Sequence, residues 1–138
     1  MTTGTLPRDD AEDAYSSLGY QLPGVPGSAC KARALVAGVL CGLSPDVVLL
    51  AQLLASELVA NAVVHAMTRV QLDIAISGST VLISVGDNSA AIPQQQQAFG
   101  SPDAVSGRGL ALVDRLSSAF GWDRIDEGKR VWFELPLH

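Results

Sequence analysis

Large apolar residues alternate with other residues over two neighbouring stretches in the middle of the chain. In residues 70–76 every second residue is large and apolar, and residues 81–85 repeat the pattern. Alternation with a period of two is typical of a strand that buries one face. Because only the short segment 77–79 separates the two stretches, the pattern predicts a β-hairpin.

Helical spacing of apolar residues predicts two helices before this hairpin. The first is expected over residues 28–41. The second is expected from Pro45 to about residue 65 or 66, because Ser44 can cap it, proline suits the first helical position, and Asp46 complements the positive end of the helix dipole.

The rest of the chain predicts a tail, a long loop and further elements. Residues 1–14 have the composition of a flexible tail, and the long loop 88–106, which includes Gln94 to Gln97, is expected to be a lid. The remaining predicted elements are a strand at 15–22, a helix at 110–118, and closing strands at 120–125 and 130–137. Since strands and helices do not alternate strictly, an α+β two-layer sandwich over residues 15–138 is favoured over a doubly wound sheet.

Charge and composition narrow the classes of partner. The 138 residues suit one domain, and 48% apolar with 17% charged residues is typical of a folded protein. The net charge of −5 argues against duplex nucleic acid, which needs a basic face. The start does not resemble a signal peptide, and the longest apolar run, 34–43, is too short to cross a bilayer. We therefore expect a cytoplasmic protein with no membrane partner.

The two cysteines, Cys30 and Cys41, fit no zinc or redox spacing. Both lie in an apolar segment, where small buried thiols are common. Their position predicts core packing in a reducing compartment rather than a disulfide.

Three polar residues recur at every fourth position of the apolar second helix: Glu57, Asn61 and His65. This spacing places them in one stripe, each about 6 Å further along the helix axis. One interpretation is a stripe partly enclosed by protein, where a carboxylate needs a partner or a bound cation. The other is a solvent-facing stripe on a surface helix, and periodicity alone does not decide between them.

Three segments in order resemble the motifs of the histidine-kinase-like (Bergerat-fold) ATPases, especially the anti-sigma-factor serine kinases. Residues 56–66 resemble the N-box, 85–93 the first glycine box and 106–113 the second, and 128–135 resemble the end of such domains. The resemblance covers roughly residues 15–137. It implies a mixed, mostly antiparallel sheet covered on one face by about three helices, with an ATP lid.

The resemblance also implies roles for residues of the central helix and the hairpin. Asn61 would hold the Mg²⁺ that bridges the phosphates of ATP, which suits an ion that takes most of its shell from phosphates and water. Glu57, one turn earlier, would act as general base toward a serine hydroxyl or water. Asp87 would accept a hydrogen bond from the adenine amino group and discriminate against guanine.

The two glycine-box segments would complete the nucleotide site. Ser89 and Pro93 would lie at the nucleotide in the first. In the second, Gly107 and Gly109 would let the backbone approach phosphate oxygens at a helix start. The same segment holds Leu110, also expected at the nucleotide, and Arg108, which would face the triphosphate or solvent.

Four positions depart from the family pattern. Ser89 and Ala91 stand where many relatives have glycines, and Val105 replaces an arginine of the sporulation-type kinases. Arg130 stands where a threonine or serine is usual near the adenine. These departures bear on triphosphate recognition and on catalytic competence.

The resemblance implies an ATP- and Mg²⁺-dependent kinase that sequesters a sigma factor and phosphorylates a serine of a STAS-domain antagonist. The alternative is a non-catalytic module that holds a protein partner. The catalytic half of a sensor histidine kinase fits less well, because no helical hairpin with a phosphoacceptor histidine precedes the domain. Monomer and homodimer both remain open.

Overall fold

The strands predicted from alternation are all present in a computed structural model, which describes residues 16–66, 69–87, 113–125 and 128–137. In chain order the elements are β1 (Ser16–Leu22), α1 (Gly27–Val39), α2 (Pro45–Ala66), β2 (Val70–Ser77), β3 (Thr80–Asp87), β4 (Ala119–Ile125) and β5 (Gly128–Pro136). Residues 113–116 are also helical and belong to the helix predicted over 110–118. The predicted tail and the whole of the predicted lid lie outside the described residues.

The strands form one five-stranded sheet in the order β1-β2-β3-β5-β4. Every pairing among these strands is antiparallel, so the described sheet contains no parallel pair of the kind a mixed sheet would have. The predicted hairpin is confirmed: Ser77 pairs with Thr80 across a two-residue turn. Gly78 takes φ +53° in this turn, a conformation that glycine adopts at low cost.

One face of the sheet packs against the helices and forms the core. Successive side chains of a strand point to opposite faces, so every second residue faces the helices. Those residues are buried together with α1 and α2 side chains: Val70, Leu72 and Ile74 of β2, Val81, Ile83 and Val85 of β3, Phe120 of β4, and Val131, Phe133 and Leu135 of β5. This arrangement confirms the predicted α+β two-layer sandwich.

Helix α2 is the central helix of this layer and contacts β2, β3 and β5. Leu54, Leu58 and Val59 are fully or almost fully buried, whereas Leu49 and Val64 are exposed on the opposite side. By length and composition alone, the stretch Pro45–Val64 could cross a membrane, although the sequence predicts no apolar run long enough to do so. Half of it is buried inside the domain, as in the central helix of a folded protein.

The predicted burial of the two cysteines is wrong. Cys30 and Cys41 are both exposed, and both are free thiols. The reason is that Ser28, Ala32 and Val36 form the buried side of α1. Cys30 lies on the other side of the helix, and Cys41 comes after the helix, which begins at Gly27 and ends at Val39.

Candidate functional site

The polar stripe of α2 lies at the boundary between the core and the solvent-facing side of the helix. Asn61 is buried and Glu57, one turn earlier, is half-buried. Leu58, Val59 and Ala62 next to them are buried, while Ala60 is exposed. The enclosed arrangement therefore holds for Asn61 and partly for Glu57. The side chain of His65 falls outside the described part of the chain.

The side-chain oxygen of Asn61 is buried without a hydrogen-bond donor from the described residues. Asn61 is 6% exposed, and its Oδ1 atom has no hydrogen-bond partner in the part of the chain that the structure describes. Leaving a buried acceptor unsatisfied costs about 1–3 kcal/mol, so such an atom calls for an explanation. A neutral amide oxygen is a ligand type that Mg²⁺ accepts. The donor chemistry of Asn61 thus fits the ion that the sequence predicts at this residue.

The protein supplies no complete cage for a metal ion in the part of the chain that the structure describes. No group of three or more His, Cys, Asp or Glu side chains converges there. Mg²⁺ commonly keeps several waters and is bound through one or two protein groups together with substrate phosphates. A single protein oxygen from Asn61 suits that mode of binding and does not suit a structural metal site.

Asp87 ends β3 on the side of the sheet that the helices cover. It continues the alternation of Val81, Ile83 and Val85, and like them it is buried. The role at the adenine that the resemblance implies for Asp87 stays a prediction. Asp87 and Asn61 are both buried polar residues, one at the end of β3 and the other on α2.

The partner of Asp87 is Lys129, which sequence reasoning did not identify. Lys129 Nζ lies 3.0 Å from Oδ2 and 3.2 Å from Oδ1 of Asp87, and both side chains are 3% exposed. The two residues are direct partners in the β3–β5 register. A signal was available: Val131, Phe133 and Leu135 alternate as the apolar side of β5, and Lys129 is the preceding residue in that phase.

The structure does not test whether Arg130 lies near the adenine, but it places Arg130 away from the Asp87–Lys129 pair. In the register Arg130 pairs with Gly86 of β3 and Asp123 of β4, one position away from the Asp87–Lys129 pair. A one-residue shift along a strand moves a side chain to the other face of the sheet. Lys129, not Arg130, therefore stands beside Asp87.

Arg130 instead borders an open cavity of about 220 Å³ at the same end of the sheet. Arg69 Nη1 donates to Gln21 Oε1 at 3.0 Å, and Gln71 Nε2 donates to Asp73 Oδ1 at 3.1 Å. The cavity is lined by Gln21, Arg69, Val70, Gln71, Asp73, Gly86, Asp87, Ile125 and Arg130. Most of these side chains belong to the face of the sheet away from the helices.

The remaining predicted site residues cannot be placed. Ser89 and Pro93 of the first glycine box, and Gly107, Arg108, Gly109 and Leu110 of the second, lie outside the described residues, as do Ala91 and Val105. Their roles at the nucleotide stay predictions. The structure brings only Glu57, Asn61 and Asp87 of the predicted set into the described region.

The chain belongs to the family of histidine kinase-, DNA gyrase B- and HSP90-like ATPases, whose model matches residues 46–138. The match includes the central helix, the hairpin and both closing strands. A comparison with the curated proteins found no match. The domain is thus an ATPase-type domain of kinase-like fold.

Two solved structures are similar to this chain in fold. The catalytic domain of the histidine kinase ThkA superposes with a TM-score of 0.50 at 20% identity, over 65% of this chain and 67% of that one. The histidine kinase domain of a blue-light-activated histidine kinase from Erythrobacter litoralis gives a TM-score of 0.54 at 21% identity, over 84% of this chain. This chain covers only 62% of that second structure.

Proposed function

We propose that this domain binds ATP with Mg²⁺ and transfers the γ-phosphoryl group to a serine of a STAS-domain protein, as an anti-sigma-type kinase. The observation that carries the proposal is the buried, unpartnered Oδ1 of Asn61, one helical turn from half-buried Glu57. Sequence resemblance points to the same two residues for the metal and the general base.

Asn61 would hold the Mg²⁺ ion through Oδ1, since that atom lacks a donor within the described ranges of the chain. The ion supplies charge neutralisation for the phosphates when it is bound. Burial of Asn61 among apolar neighbours fixes the direction of the amide. The same surroundings keep competing water donors away from the oxygen.

Glu57 would act on the acceptor serine. It is half-buried, so its carboxylate can reach a hydroxyl that a partner protein presents at the surface of α2. In the step, the serine oxygen forms a bond to the γ-phosphorus, the bond from that phosphorus to the bridging oxygen of ADP breaks, and the serine proton moves to Glu57. A positioned general base contributes roughly 10²–10⁴-fold to such a rate.

The proposed partners are a sigma factor and a STAS-domain antagonist that compete for the domain. Phosphorylation of the antagonist would weaken its binding and leave the domain on the sigma factor. The proposal places this exchange in the cytoplasm and leaves the number of subunits open.

Nucleotide binding is tested by titrating ATP with and without Mg²⁺ into the wild type, Asn61→Ala and Asp87→Asn. Asp87→Asn keeps an oxygen beside Lys129 and so limits damage to the fold. We expect Asp87→Asn to weaken ATP binding in both conditions and Asn61→Ala to remove the gain from Mg²⁺. Val64→Ala, at an exposed position of the same helix, is the matched control. Unchanged affinity in both site variants would refute the assignment.

Catalysis is tested by transfer of labelled γ-phosphate from ATP to a purified STAS-domain protein. Wild type and Glu57→Gln are compared, with nucleotide and partner binding measured in parallel. We expect the variant to bind both ligands like the wild type and to transfer phosphate roughly 10²-fold more slowly or worse. Equal transfer rates would remove the general-base role from Glu57.

A second candidate is a non-catalytic module that holds a protein partner. The observation in its favour is the ion pair between Asp87 and Lys129, because it gives both buried groups a partner without any nucleotide. If wild type and Glu57→Gln both fail to transfer phosphate while both bind the partner, this second function replaces the first.

A further inference from the structure

The base-reading end of the site contains a second charged group. Lys129 and Asp87 are each 3% exposed and lie side by side on neighbouring strands, with Nζ 3.0 and 3.2 Å from the two carboxylate oxygens. The pair therefore presents an acceptor and a donor next to each other. A lone aspartate would present an acceptor only.

Lys129 retains donor capacity after it has paired with Asp87. A lysine ammonium has three N–H donors, and two of the contacts above use Asp87 oxygens. Among the residues that the structure describes, Lys129 donates to no other group. A buried charged donor without an acceptor is unfavourable. A ligand atom that accepts from the third N–H would therefore be bound favourably.

Asp87 also retains acceptor capacity. An ionised carboxylate offers about four lone-pair sites, and Lys129 uses two of them. A further interaction engages Asp87 as well, and a carboxylate of this kind can accept from several donors at once. A ligand that adds one donor to the carboxylate therefore leaves the ion pair intact.

We propose that Lys129 is a specificity-determining residue, which donates to ring nitrogen N1 of adenine while Asp87 accepts from the amino group at C6. The inference rests on the proposed function of nucleotide binding and deepens it. Adenine carries this donor and this acceptor on neighbouring atoms of one edge. The Asp87–Lys129 pair is the complement of that edge.

Preserving the ion pair is the physical reason that adenine is selected. Breaking a buried pair leaves a charge without its partner and is strongly unfavourable. Adenine satisfies both groups without separating them. Guanine in the same position would turn its O6 acceptor toward Asp87 and its N1–H donor toward Lys129, so that like groups would face each other. A site of buried polar groups rejects such a ligand strongly.

Equilibrium titration with ATP, 1-deaza-ATP and GTP tests this role. In 1-deaza-ATP a C–H group replaces N1, while the C6 amino group remains. We expect the wild type to bind 1-deaza-ATP about tenfold or more weakly than ATP, because a charged hydrogen bond is lost. GTP should bind about a hundredfold more weakly than ATP, or worse. This comparison needs no variant.

Lys129→Met extends the test to the residue itself. The variant should bind ATP and 1-deaza-ATP with equal affinity, about tenfold below the wild-type affinity for ATP. Lys129→Gln keeps amide donors and serves if Lys129→Met does not fold; it should retain part of the discrimination. Lys31→Met removes the same charge from an exposed position of α1 and should change nothing.

Two results would overturn the proposal. Equal binding of ATP and 1-deaza-ATP by the wild type would exclude contact with N1. Tighter binding of ATP by Lys129→Met than by the wild type would mean that the lysine blocks the base instead of reading it. Absence of any ATP binding by the wild type would instead refute the proposed function itself.

Discussion

Two groups of charged and polar residues lie at the same end of the sheet on opposite faces, and a single step along the chain separates them. Asp87 and Lys129 face the helices and are almost completely buried. Arg130, the next residue, belongs with Gln71 and Asp73 to the other face, around an open cavity. Both groups consist of polar and charged residues. They differ in which of the alternating positions of a strand they occupy, and therefore in the face of the sheet on which they lie.

This difference shows on which face of the sheet a polar residue needs a specific partner. On the open face, Gln71 and Asp73 are half-exposed and within reach of water, so the hydrogen bond between them has little influence on the fold, although Arg130 Nε and Trp132 Nε1 of the same face are buried. On the helix-covered face, each polar atom needs a partner inside the protein or from a ligand. Asp87 and Lys129 have each other, whereas the oxygen of Asn61 has no partner among the residues that the structure describes.

The largest expected effect on stability comes from removing one residue of the buried ion pair. Lys129→Met leaves Asp87 as a buried charge without its partner, which should lower the free energy of unfolding by about 3–5 kcal/mol. Arg69→Met, at an exposed residue beside the open cavity, removes the same charge and should cost less than about 1 kcal/mol. Urea denaturation of both variants measures the difference, and equal losses would show that the two faces are equivalent.

A smaller effect, a gain in stability, is expected when Asn61 is replaced by an apolar residue. Asn61→Leu replaces an unsatisfied amide by an apolar group of similar size, so stability should rise by about 1–2 kcal/mol while Mg²⁺-dependent ATP binding is lost. Gln52, on the same helix, provides the matched control because its Nε2 donates to the Arg33 carbonyl oxygen at 3.0 Å. Gln52→Leu should therefore lower stability. Thermal unfolding without nucleotide compares them, and a destabilised Asn61→Leu would mean that the amide already has a partner.

The smallest effect is expected on the open face. Asp73→Asn removes a charge but keeps an oxygen that can accept from Gln71 Nε2, at present 3.1 Å from Oδ1. The free energy of unfolding should change by less than about 0.5 kcal/mol. A loss of several kcal/mol in urea denaturation would show that this face is as tightly packed as the helix-covered one.

Much of the fold follows from periodicity in the sequence. The alternation over residues 70–76 and 81–85 marked both strands of the hairpin and their buried face, because side chains on one face share one environment. The ends of the elements follow less closely from periodicity: α1 ends at Val39, two residues before the predicted end. The cysteines were misplaced because an apolar segment does not by itself tell which side of a helix is buried.

Candidate site residues could be predicted from the sequence only where they belong to a recognisable motif. Glu57, Asn61 and Asp87 were identified from motifs, and the structure places Asn61 and Asp87 in buried positions. Lys129 was missed because its importance comes from a partner distant in sequence, which the strand register brings opposite it. Attention to the alternation of β5 would have separated Lys129 from Arg130.

The most direct test of the central claim is a crystal structure with Mg²⁺ and a non-hydrolysable ATP analogue. The account predicts that Asn61 Oδ1 lies about 2.1 Å from the metal ion and that the adenine edge faces Asp87 and Lys129. A nucleotide bound in the open cavity beside Arg69 and Arg130, or a metal ion that Asn61 does not contact, would contradict it.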